Sequence, residues 1–160
     1  MTMTTPRSIL FVCLGNICRS PSAEAVMRTK LTHLVPDIHL DSAGTAGYHI
    51  GNPPDPRAIA IGESLGFDLG KLRARQVSWE DFYAFELIFA MDETNLSDLQ
   101  TLQKTAIMHA DGRAVAQLDL FDPTGQSVAD PYYGDEQDFK QMYAHLQHIA
   151  DQHIAKWQLD

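Results

Sequence analysis

Two kinds of segment alternate along the chain. Short runs that are apolar throughout, or apolar at every second position, predict buried β-strands where turn-forming residues bound them. Longer stretches in which apolar residues recur every three or four positions predict amphipathic helices. This alternation predicts an α/β fold with a mostly parallel sheet and helices on both faces. The predicted strands are 8–12, 38–42, 85–90 and, more weakly, 115–121, and the predicted helices are 22–34, about 56–65, about 92–103 and a last helix over 139–157.

Length and composition limit the number of domains and the kinds of partner. The chain has 160 residues, close to the typical size of one domain, so we expect a single domain over residues 1–160 with residues 1–7 as a flexible N-terminal arm. The formal charge of −9 disfavours nonspecific binding to nucleic acid. No apolar run approaches the roughly 18 residues of a membrane helix, the start has no signal-peptide core, and only two cysteines are present. We therefore expect a protein of the reducing cytoplasm without membrane insertion.

The candidate chemistry lies between the first strand and the first helix, in residues 13–21. Ligands of an open parallel sheet bind outside the carboxyl ends of its strands, where this segment is expected to lie. Backbone N–H groups of such a loop converge, and the following helix adds its positive end. Gly15 lets the loop turn tightly, while Asn16 tolerates left-handed backbone angles and its side chain can tie the loop together. The segment therefore predicts a receptor for a tetrahedral dianion.

Three side chains add reactivity to this receptor. Helix N-termini and nearby cations favour ionised thiols, so the receptor would also stabilise a thiolate at Cys13. Arg19 supplies a planar fork that matches two phosphate oxygens, and Ser20 is close enough in sequence to donate a hydrogen bond to the sulfur. No Gly-x-x-x-x-Gly-Lys segment is present, which argues against a nucleotide-binding P-loop. An anion receptor with a built-in nucleophile is the resulting prediction.

The stretch Cys-Leu-Gly-Asn-Ile-Cys-Arg-Ser-Pro at 13–21 resembles the signature of the low-molecular-weight protein tyrosine phosphatases. Segments 41–45, 51–55, 90–95 and 130–134 follow the order of that family, so the resemblance covers nearly the whole chain. It implies a flavodoxin-like sheet with strand order 2-1-3-4 and metal-independent hydrolysis of protein phosphotyrosine to tyrosine and phosphate, with no cofactor. The implied partner is a tyrosine-phosphorylated protein, for which a bacterial autokinase is one candidate.

The resemblance also implies a role for each site residue. Cys13 would form a cysteinyl-phosphate, and Asp130 would protonate the leaving oxygen and then activate water. Arg19 would bind the phosphate together with the other loop residues, which are Leu14, Gly15, Asn16, Ile17, Cys18 and Ser20. The expected walls of the substrate pocket are aromatic: Tyr132, Tyr133 and, on a more variable loop, Tyr48.

Asp130 is one of three aspartates that precede a proline. The others are Asp55 and Asp122, and the extended or turn geometry before proline suits all three to a loop. The paired tyrosines of the family follow Asp130 and neither of the others, so the resemblance selects Asp130. Asp55 and Asp122 are predicted to be turn residues.

Alternatives stay open for Cys18 and for the function. Cys18 is either a small buried residue or, as reported across the family, the partner of Cys13 in a reversible disulfide that makes the enzyme redox-regulated. The alternative function is a noncatalytic phosphotyrosine-binding module or a redox sensor, which the joint presence of Cys13, Arg19 and Asp130 disfavours. Two relatives fit less well: arsenate reductases need further cysteines, and arginine phosphatases carry threonine in place of Ile17 and lack the tyrosine pair.

Three further features have structural interpretations. Asp92 is predicted to cap a helix, and in the family this segment lies near the active-site loop. The basic segment 71–75 is predicted to be a solvated loop, with docking of an acidic protein substrate as the alternative. The histidines of the last helix are predicted to lie on its surface rather than to bind metal: His145, His148 and His153.

Overall fold

The computed structural model describes residues 4–159. This part of the chain forms four strands and five helices, in the order β1 (Ser8–Cys13), α1 (Arg19–Leu31), β2 (His39–Gly44), α2 (Pro56–Ser64), α3 (Asp81–Ala84), β3 (Leu87–Ala90), α4 (Glu93–Met108), β4 (Gln117–Leu120) and α5 (Glu136–Lys156). None of these helices is long and apolar enough to cross a membrane. Residues 1–3 of the predicted N-terminal arm lie outside the described residues. At the other end of that arm, the Arg7 N–H donates to the Glu86 carboxylate at 2.7 Å.

The four strands form one parallel sheet in the order β2-β1-β3-β4, which confirms the predicted fold class and strand order. β1 lies inside the sheet and is buried on both faces, which explains why its sequence is apolar at nearly every position. Ile9 and Phe11 pack into one hydrophobic cluster with α1 and α5, whereas Leu10 and Val12 pack into a second cluster with α4 on the other face. The carboxyl end of β1 is therefore held from both sides of the sheet.

The start of α1 and the presence of α3 differ from the prediction. α1 begins at Arg19 rather than at residue 22, because its N-cap is Cys18, which makes no side-chain capping bond and gives no signal of a helix start. α3 was not predicted, since four residues are too few to show a helical period. α2 begins at the predicted residue, where Asp55 caps the helix and Pro56 occupies its first turn.

One histidine of α5 is buried, so the prediction of three surface histidines is wrong. The ring of His153 packs against Phe89 and Trp157, at centroid distances of 4.8 and 5.3 Å. Its Nε2 lies 2.7 Å from the Phe121 carbonyl oxygen, and burial lowers the pKa of the imidazole. His153 is therefore a neutral residue of the core, whereas His148 is exposed.

Candidate active site

The structure places the predicted anion receptor at the carboxyl end of β1. Cys13 is the last residue of β1, Arg19 is the first residue of α1, and residues 14–18 form the loop between them. Both side chains are almost fully buried, with exposed fractions of 3% and 4%. Among the described residues, no group of three or more His, Cys, Asp and Glu side chains is arranged to hold a metal ion. Cys13 and Arg19 share a cleft with Leu14, Gly15, Ile17, Cys18, Tyr48, His49, Asp130, Tyr132 and Tyr133.

Asn16 holds the loop in its turned shape. Its φ of +58° lies in the left-handed region, which asparagine tolerates better than most residues. Its Nδ2 donates to Ser20 Oγ at 2.8 Å and to Ser42 Oγ at 3.0 Å, and its Oδ1 accepts from the Arg75 backbone N–H at 3.0 Å. Both amide hydrogens are thus used, and the three bonds together fix the orientation of the side chain.

The backbone of the loop directs its carbonyl groups toward neighbouring segments. The carbonyl oxygens of Cys13, Leu14 and Ile17 accept backbone N–H bonds at 2.9, 3.0 and 2.8 Å. Gly44 permits this close approach, because a Cβ there would lie 2.7 Å from the Leu14 carbonyl oxygen. In contrast, the N–H groups of Gly15 and Ile17 have no hydrogen-bond partner anywhere in residues 4–159. Such N–H groups beside the positive end of a helix favour the binding of an anion.

The sulfur of Cys13 has two hydrogen-bonding neighbours. The Asn16 N–H donates to Sγ at 3.3 Å, and Ser20 Oγ lies 3.1 Å from it. Since Asn16 also donates to Ser20 Oγ, the single hydroxyl hydrogen of Ser20 is available for either Cys13 or the Ala43 carbonyl oxygen, 3.3 Å away. Hydrogen bonds to an ionised acceptor are stronger than those to a neutral one, so a thiolate would take the Ser20 hydrogen. The Asn16 N–H and the Ser20 hydroxyl are thus both placed to donate to a negatively charged sulfur.

Arg19 is held by a carboxylate and by a backbone carbonyl. Its Nη1 donates to Asp92 Oδ2 at 2.6 Å and to the Val128 carbonyl oxygen at 3.0 Å. Burial alone would lower the pKa of Arg19, but the negative charges of Cys13 and Asp92 raise it above its usual value. The guanidinium is therefore a permanent and fixed positive charge beside the cleft.

Asp92 joins this ion pair to the start of α4. Its Oδ1 accepts from the Asn95 N–H at 2.8 Å, so it is the N-cap of the helix, as predicted. Its other oxygen pairs with Arg19. The local sequence pattern indicated only the cap, because the ion pair depends on β3 lying beside β1 in the sheet.

Asp130 lies at the mouth of the cleft. Its Oδ2 is 3.7 Å from Arg19 Nη2, and its Oδ1 accepts from the Tyr132 N–H at 3.1 Å. The carboxylate is 41% exposed, so substrate and water can reach it. Tyr132 and Tyr133 stand edge to face with their ring centroids 4.9 Å apart, and Tyr48, on the turn after β2, also lines the cleft. The structure thus brings the predicted loop, acid and aromatic residues together in one place.

Sequence reasoning missed one residue of the cleft, His49. Its ring lies so close to the loop that a Cβ on Gly15 would be 3.1 Å from His49 Cδ2. It also packs edge to face with Tyr48 at a centroid distance of 6.3 Å. The only signal for His49 in the sequence is its position next to Tyr48, because a single histidine in a turn belongs to no pattern.

The other two aspartates that precede proline do not line the cleft and have local partners. Asp55 accepts the Arg57 backbone N–H at 2.8 Å, and Asp122 accepts from the Thr124 N–H at 2.7 Å and lies 2.7 Å from His145 Nε2. Burial opposes ionisation of both carboxyl groups, but hydrogen bonds outweigh it and lower the pKa of each, chiefly those from the Arg57 side chain to Asp55 and from the Thr124 side chain to Asp122. Asp122 lies in a turn, as predicted, whereas Asp55 is the N-cap of α2 rather than a turn residue.

Part of the positive charge of the basic segment 71–75 is paired. Arg75 donates to Asp41 Oδ2 and to Asp81 Oδ1, both at 3.0 Å, so its charge is already paired. Arg73 is exposed and donates to two carbonyl oxygens of its own turn, at 2.7 and 2.9 Å. The ion pairs of Arg75 weigh against the docking alternative, which stays a prediction for Arg73.

The sheet and the loop together define the class of the protein. Parallel α/β enzymes bind their ligands at this edge of the sheet, and a thiol with a fixed guanidinium around unpaired N–H groups suits a phosphate ester. Residues 8–160 match the family described as low molecular weight phosphotyrosine protein phosphatase. The human protein of that name is 42% identical over 146 residues, which cover 89% of this chain and 90% of the human protein. The chain belongs to this family of phosphotyrosine hydrolases, which confirms the resemblance seen in the sequence.

Solved structures share the whole fold. Wzb of Vibrio vulnificus, in complex with benzylphosphonate, is 26% identical with a TM-score of 0.80, and the match covers 94% of this chain and 98% of that one. The Drosophila arginine phosphatase is 27% identical with a TM-score of 0.84, and the match covers 95% and 98% of the two chains. The fold is thus shared with a protein named as an arginine phosphatase, whereas the human relative is named as a phosphotyrosine phosphatase.

Proposed function

We propose that the protein hydrolyses protein phosphotyrosine through a cysteinyl-phosphate on Cys13, with Asp130 as general acid and base. The observation that carries this proposal is the position of Cys13 Sγ, which lies 3.1 Å from Ser20 Oγ beside a buried and permanently charged Arg19. The benzylphosphonate bound by Wzb of Vibrio vulnificus has the same kind of head group, a tetrahedral oxyanion on an aromatic stem.

The first step transfers the phosphoryl group to sulfur. An electron pair of the Cys13 thiolate forms the sulfur–phosphorus bond while the bond from phosphorus to the phenolic oxygen breaks. Asp130 gives its proton to the departing oxygen, so tyrosine leaves in its neutral form. Arg19 and the loop N–H groups bind the equatorial oxygens, over which the charge of the transition state is spread. Positive charge is therefore supplied by the chain itself, and we propose that no metal is needed.

The second step returns the enzyme to its starting state. The Asp130 carboxylate removes a proton from water, the water oxygen attacks phosphorus, and the sulfur–phosphorus bond breaks. The electron pair of that bond stays on Cys13, where the Ser20 hydroxyl stabilises the thiolate that leaves. Phosphate is released, and Asp130 again carries the proton that the next cycle requires.

The aromatic walls favour phosphotyrosine over shorter substrates. Tyr132 and Tyr48 line the cleft, which suits a phenyl ring between the phosphate and the peptide backbone. The short stem of phosphoserine would leave these rings without contact. Ile17 and the paired tyrosines also differ from the pattern of the arginine phosphatases, so phosphoarginine is the less favoured substrate.

The wild-type protein should hydrolyse a phosphotyrosine peptide in the presence of EDTA. The Asp130→Asn variant should lose about 10²-fold in kcat/KM for phenyl phosphate, whose leaving group needs a proton. It should lose far less for p-nitrophenyl phosphate, whose leaving group is stable as an anion. Steady-state kinetics on both esters, with the exposed Asp119→Asn as control, makes the comparison. Equal losses on both esters contradict Asp130 as the acid, and faster hydrolysis of phosphoserine or phosphoarginine peptides contradicts the substrate.

We also propose that Cys18 shelters Cys13 from overoxidation. Burial, together with the charge of Asp55, raises the pKa of the Cys18 thiol far above its ordinary value, so Cys13 is the thiol that peroxide oxidises first. Both cysteines are free and line the same cleft. The sulfenic acid formed on Cys13 would condense with the Cys18 thiol to a disulfide and release water.

Peroxide treatment should therefore produce a protein that is two hydrogens lighter and regains activity with dithiothreitol. Mass spectrometry of the intact protein and of its peptides detects the Cys13–Cys18 link. The matched Cys18→Ser variant should lose activity irreversibly under the same treatment, because Cys13 then proceeds to sulfinic acid. Oxidised wild-type protein without the intramolecular disulfide would show that Cys18 is only a small buried residue.

The physiological partner follows from the proposed chemistry. It is a tyrosine-phosphorylated protein, and a bacterial autokinase stays one candidate. The cytoplasmic location stays a prediction from the cysteine content.

A further inference from the structure

Arg57, in the first turn of α2, contacts the loop that carries Asp130. Its Nη2 donates to the Tyr132 carbonyl oxygen at 2.8 Å, and its Nη1 donates to the Gly134 carbonyl oxygen at 3.1 Å. The guanidinium also lies over aromatic rings, with its central carbon 4.6 Å from the ring centroid of Phe139 and 5.9 Å from that of Tyr132. One side chain thus binds the backbone of the acid loop, residues 130–134, at two points.

The guanidinium of Arg57 is itself fixed in place by Asp55. The Asp55 carboxylate accepts from Nε at 3.0 Å and from Nη2 at 2.9 Å, a two-point contact of the kind that holds a guanidinium in one orientation. The backbone N–H of Asp55 donates to the Ile17 carbonyl oxygen at 2.8 Å, inside the loop that follows Cys13. Asp55 and Arg57 therefore connect the anion-binding loop to the acid loop through four hydrogen bonds from side chains and one from the backbone.

Besides Arg57, the acid loop is restrained by the 3.7 Å contact between Asp130 Oδ2 and Arg19 Nη2 and by the burial of Pro131. Its own bonds are local: the Tyr132 N–H donates to Asp130 Oδ1, and the Gly134 N–H donates to the Pro131 carbonyl oxygen. Tyr133 is 94% exposed, so its ring gives the loop little packing. A general acid must lie within hydrogen-bond reach of the leaving oxygen, and a displacement of about 1 Å can cost 10²-fold in rate. The two hydrogen bonds from Arg57 are the side-chain bonds that hold the backbone of this loop from outside it.

We propose that Arg57 is a positioning residue for Asp130. It fixes the acid loop at the distance from the anion-binding loop at which Asp130 reaches the leaving oxygen. The inference rests on the proposed role of Asp130 as general acid and concerns the protonation of the leaving group rather than the binding of phosphate. Asp55, which the sequence presented as a competing acid, then acts as the support of Arg57.

Substitutions of Arg57 leave the capping of α2 intact, so a loss of capping cannot explain their effect on activity. Asp55 Oδ1 caps α2 by accepting the backbone N–H of residue 57, and every substitution except proline keeps that N–H. The Arg57 side chain is 40% exposed, so its replacement leaves no cavity in the core. Arg57→Gln removes the bridge, and Arg57→Lys keeps the charge but offers a single ammonium in place of the planar fork.

The test compares kcat/KM for phenyl phosphate and p-nitrophenyl phosphate. Arg57→Gln should lower kcat/KM for phenyl phosphate about tenfold, while p-nitrophenyl phosphate changes by less than about twofold, because only the first needs a well-placed proton. Arg57→Lys should resemble Arg57→Gln, since charge without the two-point contact does not hold the loop. The inhibition constant of inorganic phosphate should stay at the wild-type value in both variants. Arg73→Gln, which removes an exposed arginine bonded only within its own turn, is the matched control and should behave as the wild type.

A double-mutant cycle separates this inference from the proposed function. Once Asp130→Asn has removed the acid, adding Arg57→Gln should cause no further loss on phenyl phosphate. If Asp130→Asn lowers phenyl phosphate turnover but Arg57→Gln does not, the positioning role is wrong and the general acid stands. Equal losses on both esters, weaker phosphate inhibition or full rescue by Arg57→Lys also overturn it. If Asp130→Asn itself has no effect on phenyl phosphate, both the acid and its positioning are wrong.

Discussion

Replacing Cys13 with serine should abolish turnover while leaving phosphate binding intact. A serine hydroxyl stays neutral at pH 7 and is a far weaker nucleophile than a thiolate, so kcat should fall by about 10⁴-fold or more, as it does when an enzyme loses its nucleophile. The rest of the receptor does not depend on sulfur: Arg19 is held by Asp92 and Val128, and Asn16 is held by Ser42 and Arg75.

Two measurements check this result. Single-turnover kinetics with a phosphotyrosine peptide measures the chemical step, and calorimetric titration with inorganic phosphate measures the receptor. Cys18→Ser is the matched control, because it makes the same atomic change in the same loop and should retain turnover. Substantial hydrolysis by Cys13→Ser would falsify the covalent mechanism, and a loss of phosphate binding would show that the thiolate helps to build the receptor. A peptide that stays bound to Cys13→Ser also allows the substrate protein to be captured and identified.

Arg19→Lys should lose about 10³-fold in kcat/KM, even though the positive charge is kept. In the wild type, one guanidinium nitrogen of Arg19 binds Asp92 and Val128, which leaves the other N–H groups of the fork for two phosphate oxygens. A lysine ammonium at that place would be drawn to Asp92 and could not bind two oxygens in one plane. Phosphate binding should weaken together with turnover, which is the opposite of the pattern expected for Cys13→Ser.

Steady-state kinetics and phosphate titration on Arg19→Lys give this comparison. Arg28→Lys is the control, since Arg28 lies in the same helix, pairs with Glu24 at 2.6 Å and does not line the cleft. We expect Arg28→Lys to match the wild type in both measurements. Near-normal turnover by Arg19→Lys would mean that a point charge is sufficient and that two-point recognition of the phosphate plays no part.

The sequence predicts the fold and half of the site well, because both depend on local pattern. The apolar run at 8–12 requires a buried strand, and Gly15, Asn16 and Arg19 follow it within a few residues. The α/β class, the loop and its anion-binding character were therefore accessible from residues alone. Asp130 could not be identified in this way. Three aspartates precede a proline and suit a loop equally well, and only the resemblance to the family distinguishes Asp130 from the other two.

The rest was inaccessible because it depends on contacts between distant segments. Arg57 and the carbonyl of Tyr132 are 75 positions apart, and Arg19 and Asp92 are 73 apart, so no periodicity records either bond. His153 was misplaced for a related reason. Histidine suits either the surface or the core of a protein. The burial of His153 depends on its packing against Phe89, in β3, and Phe121, directly after β4.

The placement of Cys13 at the end of an interior strand has a consequence for how the site loses function. Amide hydrogens of an inner strand exchange with solvent only when a whole domain opens, whereas exposed loops open at a small cost in free energy. We therefore expect the strand that carries Cys13 to open late and the exposed loop that carries Asp130 to open early. Mild heat or denaturant should therefore stop proton transfer by Asp130 before it disrupts the anion-binding loop. Under those conditions the protein should still bind phosphate but no longer hydrolyse phosphate esters.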